Sequence, residues 1–318
     1  MRRRRFGNTD LEVSEITFGA MRFVPGAKGN PDEALGRRAL ELALDRGVDT
    51  IHSSHEYGTR YALETVLRDH PKRRELKHVI KVHAPNYDDP AFDAAKFRDQ
   101  IELGLKELHT DRIDVVQHLQ RSVPKEIIYE PEGESPRIRD MPAVNAALVE
   151  TFEQMKQEGK VGHLVTFPHT PGFARAAIDS GAFQGMVAFF NLVETELYPM
   201  LDAMQRRGMG MFSMRPFREG LLTDKRKDRA KLPDGDPHLA PTSDLAYRRF
   251  AALQRAFGDE VPSWTDLAIK FALAHRVFAS VIVSMNTPAQ VESVLAAADG
   301  NYPDTAFVER VHGIVSAA

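Results

Sequence analysis

The chain has 318 residues, of which 42% are apolar and 27% charged, with a formal net charge of −3 and no cysteine. That is the balance of a globular α/β protein of one large domain or two smaller ones, with no bulk charge to draw nucleic acid or an anionic membrane. The missing thiols exclude disulfides, iron–sulfur clusters, thiolate nucleophiles and cysteine-bound zinc, and suit a cytoplasmic setting. No window approaches the roughly 18 apolar residues of a membrane span.

The basic run Arg2, Arg3, Arg4 and Arg5 has no apolar stretch behind it, so it reads as a solvated first strand rather than a secretory signal. Residues 6–17 read as a hairpin around the turn residues Gly7, Asn8, Thr9 and Asp10. A strand at 15–20 and a helix at 30–47 follow. Asn30 is the expected cap of that helix, with Pro31 in its first turn, Glu33 completing a capping box and Gly47 as its stop. The alternation then repeats, with strands expected at 48–52, 78–83, 112–118, 161–167, 186–190, 209–214 and 278–283. Helices are expected at 59–69, 92–108, 142–158, 171–180, 194–207, 264–275 and 288–299. Each strand is a short apolar run, as parallel strands buried on both faces require. Eight such units predict a (β/α)8 TIM barrel forming one domain over 1–318. The rival, a doubly wound sheet, lacks its G-x-G-x-x-G fingerprint. Two long connections, 119–141 and 217–243, are rich in proline and charge and fall at the barrel face where such folds keep their sites.

The stretch 48–58, VDTIHSSHEYG, ends a buried strand in His52, His55, Glu56 and Tyr57. The next strands bring Lys81 and His83, then Gln117 and His118. Burying an ammonium inside an apolar run is costly without a partner, so Lys81 reads as functional rather than structural. Lys81 near Tyr57 would favour the phenolate and lower the phenol pKa, making it a better acid. A metal held by His52, His55, Glu56 and His83 is an alternative, although the spacing matches no metalloprotease motif and no metal is expected. Farther on, Arg215, Arg218, Lys225, Arg226, Lys227 and Arg229 make one loop basic, and Thr287, Pro288 and Gln290 read as a helix cap. A helix start beside a basic loop after the last two strands is a recurrent phosphate site on this barrel.

Several blocks together resemble the aldo-keto reductases over essentially the whole chain. They are RRRRFGNTDLEVSEITFGAMRF, ALDRGVDTIHSSHEYG, GLKELHTDRIDVVQHL, EGKVGHLVTF and MRPFREGLLTDK. The resemblance implies a barrel closed at its bottom by the hairpin. It also implies NADP(H)-dependent reduction of a small aldehyde or ketone, or oxidation of the matching alcohol, with NAD as the other cofactor. Of the family's Asp, Tyr, Lys and His, Tyr57 and Lys81 match, and His52 stands where the aspartate belongs. The histidine position falls on Leu119, one past His118; a bulge or one-residue shift would bring His118 there, and His83 is another substitute. Around the dinucleotide the resemblance places Asn191, Arg215, Arg218, Leu221, Asn286 and Gln290. The usual Ser-Asn clasp of the nicotinamide amide reads Phe167-Pro168, Asn286 takes the place of a basic residue, and the Pro-Gly after the last strand reads Ser284-Met285.

With His52 in place of a carboxylate, the Lys81 pKa should fall, and His52 itself is a candidate to carry a proton. The altered positions keep two further readings open: redox-neutral acid/base chemistry on a sugar-like substrate, and a barrel without catalysis. Phe23, Tyr87, Tyr129 and the 119–141 connection are expected to shape the substrate pocket.

Overall fold

The computed structural model describes residues 1–24, 33–87, 91–121 and 135–318. The expected start of the first helix at Asn30 and Pro31, the pocket residue Tyr129 and most of the 119–141 connection lie outside them. The chain opens with β1 (Arg3–Arg5) and β2 (Glu12–Ser14), an antiparallel pair. Eight parallel strands follow: β3 (Ile16–Gly19), β4 (Thr50–Ser53), β5 (Lys77–His83), β6 (Ile113–Leu119), β7 (Val161–Thr166), β8 (Gly185–Phe189), β9 (Gly210–Met214) and β10 (Phe278–Val283). They close into a barrel in chain order, with β10 pairing back onto β3. The expected (β/α)8 barrel is therefore the fold.

Period-two alternation along each strand sorts the side chains into two layers. Ile51, Ile80, Val82, Val116, Leu164 and Met186 face outward and merge with the helices into the main core. Val79, Val115, Val165, Val187 and Phe212 face inward and make a smaller core with Phe6, Leu11 and Val13 of the hairpin. Phe6 is the floor of the barrel. Its ring stacks on Phe212 at 5.0 Å. It fits because Gly185 and Gly210 lack side chains there: a Cβ on Gly210 would lie 2.6 Å from the Phe6 ring.

The helices are α1 (Glu33–Asp45), α2 (Arg60–Leu67), α3 (Ala94–Glu107), α4 (Pro136–Gln157), α5 (Pro171–Ser180), α6 (Leu201–Arg206), α7 (Asp244–Phe257), α8 (Trp264–Leu273), α9 (Pro288–Ala297) and α10 (Thr305–Ala317). Four depart from expectation. The helix expected to start at 142 begins at Pro136 and carries Pro142 inside it. The one expected over 194–207 is a short 3-10 turn, Tyr198–Met200, followed by α6, because Pro199 cannot supply a helical N–H. Two helices, α7 and α10, were not expected at all. Helix α7 buries Ala246, Tyr247, Phe250, Leu253 and Phe257 along one stripe, a helical spacing hidden behind the charged stretch before it. No described helix is long and apolar enough to cross a membrane.

Burial holds seven histidines neutral. His52, His83, His169 and His312 are pushed down to about 3, and His78, His118 and His275 to about 4, burial being the largest cause in each. The unfolded chain takes up these protons near pH 6.5, so stability is complete above that value and drains away as pH falls toward 4. The urea midpoint should hold steady from pH 8 to pH 7 and drop steeply below pH 6.5. Phe6→Ala, which empties the barrel floor, should cost about 3–5 kcal/mol in the same assay.

Candidate active site

At the carboxyl ends of β4, β5 and β6 the inward-facing residues are His52, then Lys81 and His83, then Gln117 and Leu119. Lys81 pairs in register with Gln117, and His83 with Leu119. His52 pairs with Val79, two residues below Lys81 on the same face. Beyond β4 the chain makes a 3-10 turn, His55–Tyr57, closed by Gly58 at φ 64°. That left-handed glycine ends the turn and leaves Tyr57 at the mouth.

The His52 Nε2 lies 2.8 Å from Gln117 Oε1. Burial, reinforced by the charge of Lys81, drives the imidazole pKa down to about 3. His52 is thus neutral and donates its Nε2–H to the amide carbonyl, in place of the proton-carrying role expected for it. The Gln117 Nε2 is buried with no hydrogen-bond partner among the described residues. Gln117 was not a predicted site residue. It stands next to His118 in one strand, and the register with β5 is what turns Gln117 rather than His118 to the axis.

The Lys81 ammonium sits 5.0 Å from the centroid of the Tyr57 ring, and the Tyr57 and His52 rings are 6.2 Å apart. Burial and then the charge of Arg121 lower the Lys81 pKa to about 8, with Glu56 opposing. The fall expected for Lys81 agrees in direction, although its leading cause is desolvation. Tyr57 moves the other way from expectation: burial, then the charge of Glu56, pushes its phenol well above the usual value.

Glu56 and Arg121 form a second layer that spacing did not reveal. The two guanidinium Nη atoms meet the Glu56 carboxylate at 2.7 and 3.1 Å, and His83 Nε2 lies 3.2 Å from the same group. Burial raises the Glu56 pKa, but the hydrogen bonds from Arg121 and the neighbouring charges outweigh it and hold the carboxyl below its usual range. Arg121 also lies over Tyr87 at 4.8 Å, which places Tyr87 on this rim. Phe23 instead packs edge-on against Phe18 in the core and does not line the mouth.

His118 is not brought into the site. The β5–β6 pairing runs without a shift from Val79↔Val115 to His83↔Leu119, so no bulge turns it inward. It faces the helices, bonds through Nε2 to the Ala84 carbonyl at 2.7 Å and stacks on Phe183. Leu119, which donates no hydrogen bond, holds the inward position.

The other half of the mouth is aromatic and basic. Phe167 packs on Phe189, and the Arg215 guanidinium lies over Phe189 at 4.5 Å. Arg215 and Arg218 both reach Glu194 Oε1, at 3.5 and 3.1 Å, and Arg22, Arg215 and Arg218 converge on Glu219 at 3.6–3.8 Å. The Nε atoms of Arg215 and Arg218 are buried without an aligned hydrogen-bond acceptor among the described residues. Asn191 ties this loop down: its Nδ2 donates to Glu194 at 2.5 Å and to the Arg215 carbonyl at 2.9 Å. Leu221 is fully buried, so only its backbone can face a ligand. Gln290 accepts from the Asn286 N–H at 2.7 Å, and its own N–H bonds Thr287 Oγ1, the expected cap of α9. Among the described residues no three His, Asp or Glu side chains are grouped to hold a metal ion.

A closed (β/α)8 barrel with a tyrosine–lysine pair at its carboxyl mouth defines the class of the fold. The chain belongs to the aldo/keto reductase family of oxidoreductases, whose model matches residues 15–314. Among curated relatives it is 23% identical over 310 residues to the uncharacterized oxidoreductase YqkF of Bacillus subtilis, covering 94% of this chain and 92% of that one. It is 24% identical to L-galactose dehydrogenase of Arabidopsis thaliana, covering 92% and 87%. The holo form of aldo-keto reductase AKR11C1 from Bacillus halodurans has the same fold, with a TM-score of 0.77 at 21% identity, over 100% of this chain and 97% of that one.

Selectively labelled lysine in a 13C NMR titration should show Lys81 titrating near pH 8, well below the ordinary lysine value of about 10.4. Glu56→Gln removes the opposing carboxylate and should lower the Lys81 midpoint further. Arg121→Ala should raise it.

Proposed function

We propose that this chain is a nicotinamide-dependent oxidoreductase that interconverts a small aldehyde or ketone and its alcohol, with NADP(H) preferred over NAD(H). The observation that carries the reading is the Tyr57 phenol beside the Lys81 ammonium at the carboxyl end of the barrel, in a chain of this family. The name of one relative, L-galactose dehydrogenase, supports an alcohol–carbonyl couple.

The residues fit the phosphate end of a dinucleotide. Among the described residues the buried Arg215 Nε lacks an acceptor and the Arg218 Nε meets Glu194 at 3.1 Å without alignment, and such guanidinium forks suit phosphate oxygens. Asn191 and Leu221 would hold that loop in shape, while Asn286 and Gln290 would border the α9 start. At the nicotinamide end the phenyl rings of Phe167 and Phe189 offer a flat apolar wall in place of an amide clasp. A dinucleotide held there would supply or accept hydride at the substrate carbon. Tyr57 gives its proton to the substrate oxygen, and the Lys81 charge stabilises the phenolate left behind. His52, kept neutral and bonded to Gln117, keeps the wall behind Lys81 uncharged. Leu119 donates no hydrogen bond to that oxygen, so more of the oxyanion stabilisation falls on Tyr57.

Calorimetric titration with NADPH and with NADH tests the reading. NADPH should bind near micromolar, about −8 kcal/mol, and Arg218→Ala should weaken it by about tenfold or more. Tyr57→Phe should keep that binding and lower carbonyl reduction by about 100-fold or more. Because Lys81 is charged only below its pKa of about 8, kcat/KM for reduction should be flat at pH 6–7 and fall as pH rises through 8. Failure of both nucleotides to bind would overturn the reading, and turnover without nucleotide would replace it with acid/base chemistry.

A further inference from the structure

Lys81 has a singular set of neighbours for an interior cation. Among the described residues its ammonium makes no ion pair and no hydrogen bond, and its ring contact is with Tyr57 at 5.0 Å. The groups that face it are His52, Tyr57, His83, Glu56 and Arg121. The only carboxylate among them, Glu56, is already bonded twice by Arg121, with the neutral His83 ring 3.2 Å away. On the remaining side stand a neutral imidazole and an amide, His52 and Gln117, joined to each other at 2.8 Å. Glu56 therefore offsets a charge on Lys81 only in part, and desolvation, helped by the charge of Arg121, favours its free-base form. A free amine at the open end of a barrel, with a phenolic proton donor beside it, is the constellation for attack on a carbonyl.

We propose that Lys81 is a nucleophile that forms an imine with a small aldehyde or ketone, using Tyr57 as its proton relay. The nitrogen lone pair forms the new C–N bond while the carbonyl π pair moves onto oxygen. Tyr57 gives its proton to that oxygen, and the phenolate takes one of the protons left on nitrogen. In the second half Tyr57 protonates the hydroxyl, the C–O bond breaks and water leaves, and the nitrogen lone pair closes the C=N bond. The remaining N–H proton restores the phenol. The balance is amine plus carbonyl to imine plus water, with no oxidant or reductant. Once protonated, the imine makes the adjacent C–H bonds acidic, which opens carbon-acid chemistry alongside hydride transfer. The inference stands apart from dinucleotide binding, since no step uses one.

The test is reductive trapping without nucleotide: propionaldehyde and sodium cyanoborohydride at pH 7, with the modified lysines read by peptide mass spectrometry at short times. At that pH about one Lys81 in ten is free base, given its pKa of about 8. For an ordinary lysine the fraction is below about one in a thousand. Lys81 should gain its propyl group at least tenfold faster than Lys231, whose side chain is 84% exposed. The adduct at that position should be absent from Lys81→Arg. His52→Asp and Gln117→Glu each return a carboxylate to the uncompensated side and should slow trapping at Lys81 several-fold, with circular dichroism checking the fold. Trapping at Lys81 no faster than at Lys231 overturns the proposal, and so does trapping unchanged in both folded carboxylate variants. Should both variants unfold, the rate at Lys81 against that at Lys231 in the unmodified sequence decides alone. Loss of NADPH binding would leave this proposal standing, and failed trapping would leave the dinucleotide reading standing.

Discussion

Alternation along the strands of a closed barrel governs everything at this mouth. Once Val79 and Val115 face the axis, Lys81, His83, Gln117 and Leu119 must face it too, and Val82 and His118 must face the helices. The parity is held by burial on both faces: a one-residue slip would drive Lys81 into the helix layer and Ile80 into the barrel. The chemistry of the corner is therefore inherited from the packing of the core beneath it. The hairpin contributes at the other end, where Phe6 fills the axis and fixes the level at which polar residues begin.

Charge in this corner is settled locally. Glu56 is held by Arg121, and the arginines of the opposite rim are shared by Glu194 and Glu219. Lys81 makes no ion pair with either network, although the charges of Arg121 and Glu56 both act on it. A carboxylate at position 52 would have bound it into a third pair and kept it charged; the neutral His52–Gln117 pair does not. One substitution inside the barrel thereby changes what an unaltered lysine can do, without moving it.

The barrel and its strand positions were legible because apolar runs and helix caps are local signals. Thr287 capping α9 and the placement of Lys81 at an interior position are examples. The state of the site was less legible. Gln117 and His118 are adjacent polar residues in one strand, and only the register with β5 says which faces inward. Glu56 and Arg121 stand 65 positions apart, so no local pattern joins them. Lys81 alone argues for a lowered Tyr57 pKa, whereas desolvation and then Glu56 raise it. Helix α7 escaped because its apolar stripe follows a charged connection that reads as continuous loop.

The Phe6 floor has a kinetic consequence. With its ring against Phe212 and Val115, Val165 and Val187 stacked above, no passage runs through the axis. Every molecule that uses this mouth enters and leaves by the same doorway. Two that use it together must come and go in sequence, with the deeper one first to arrive and last to depart.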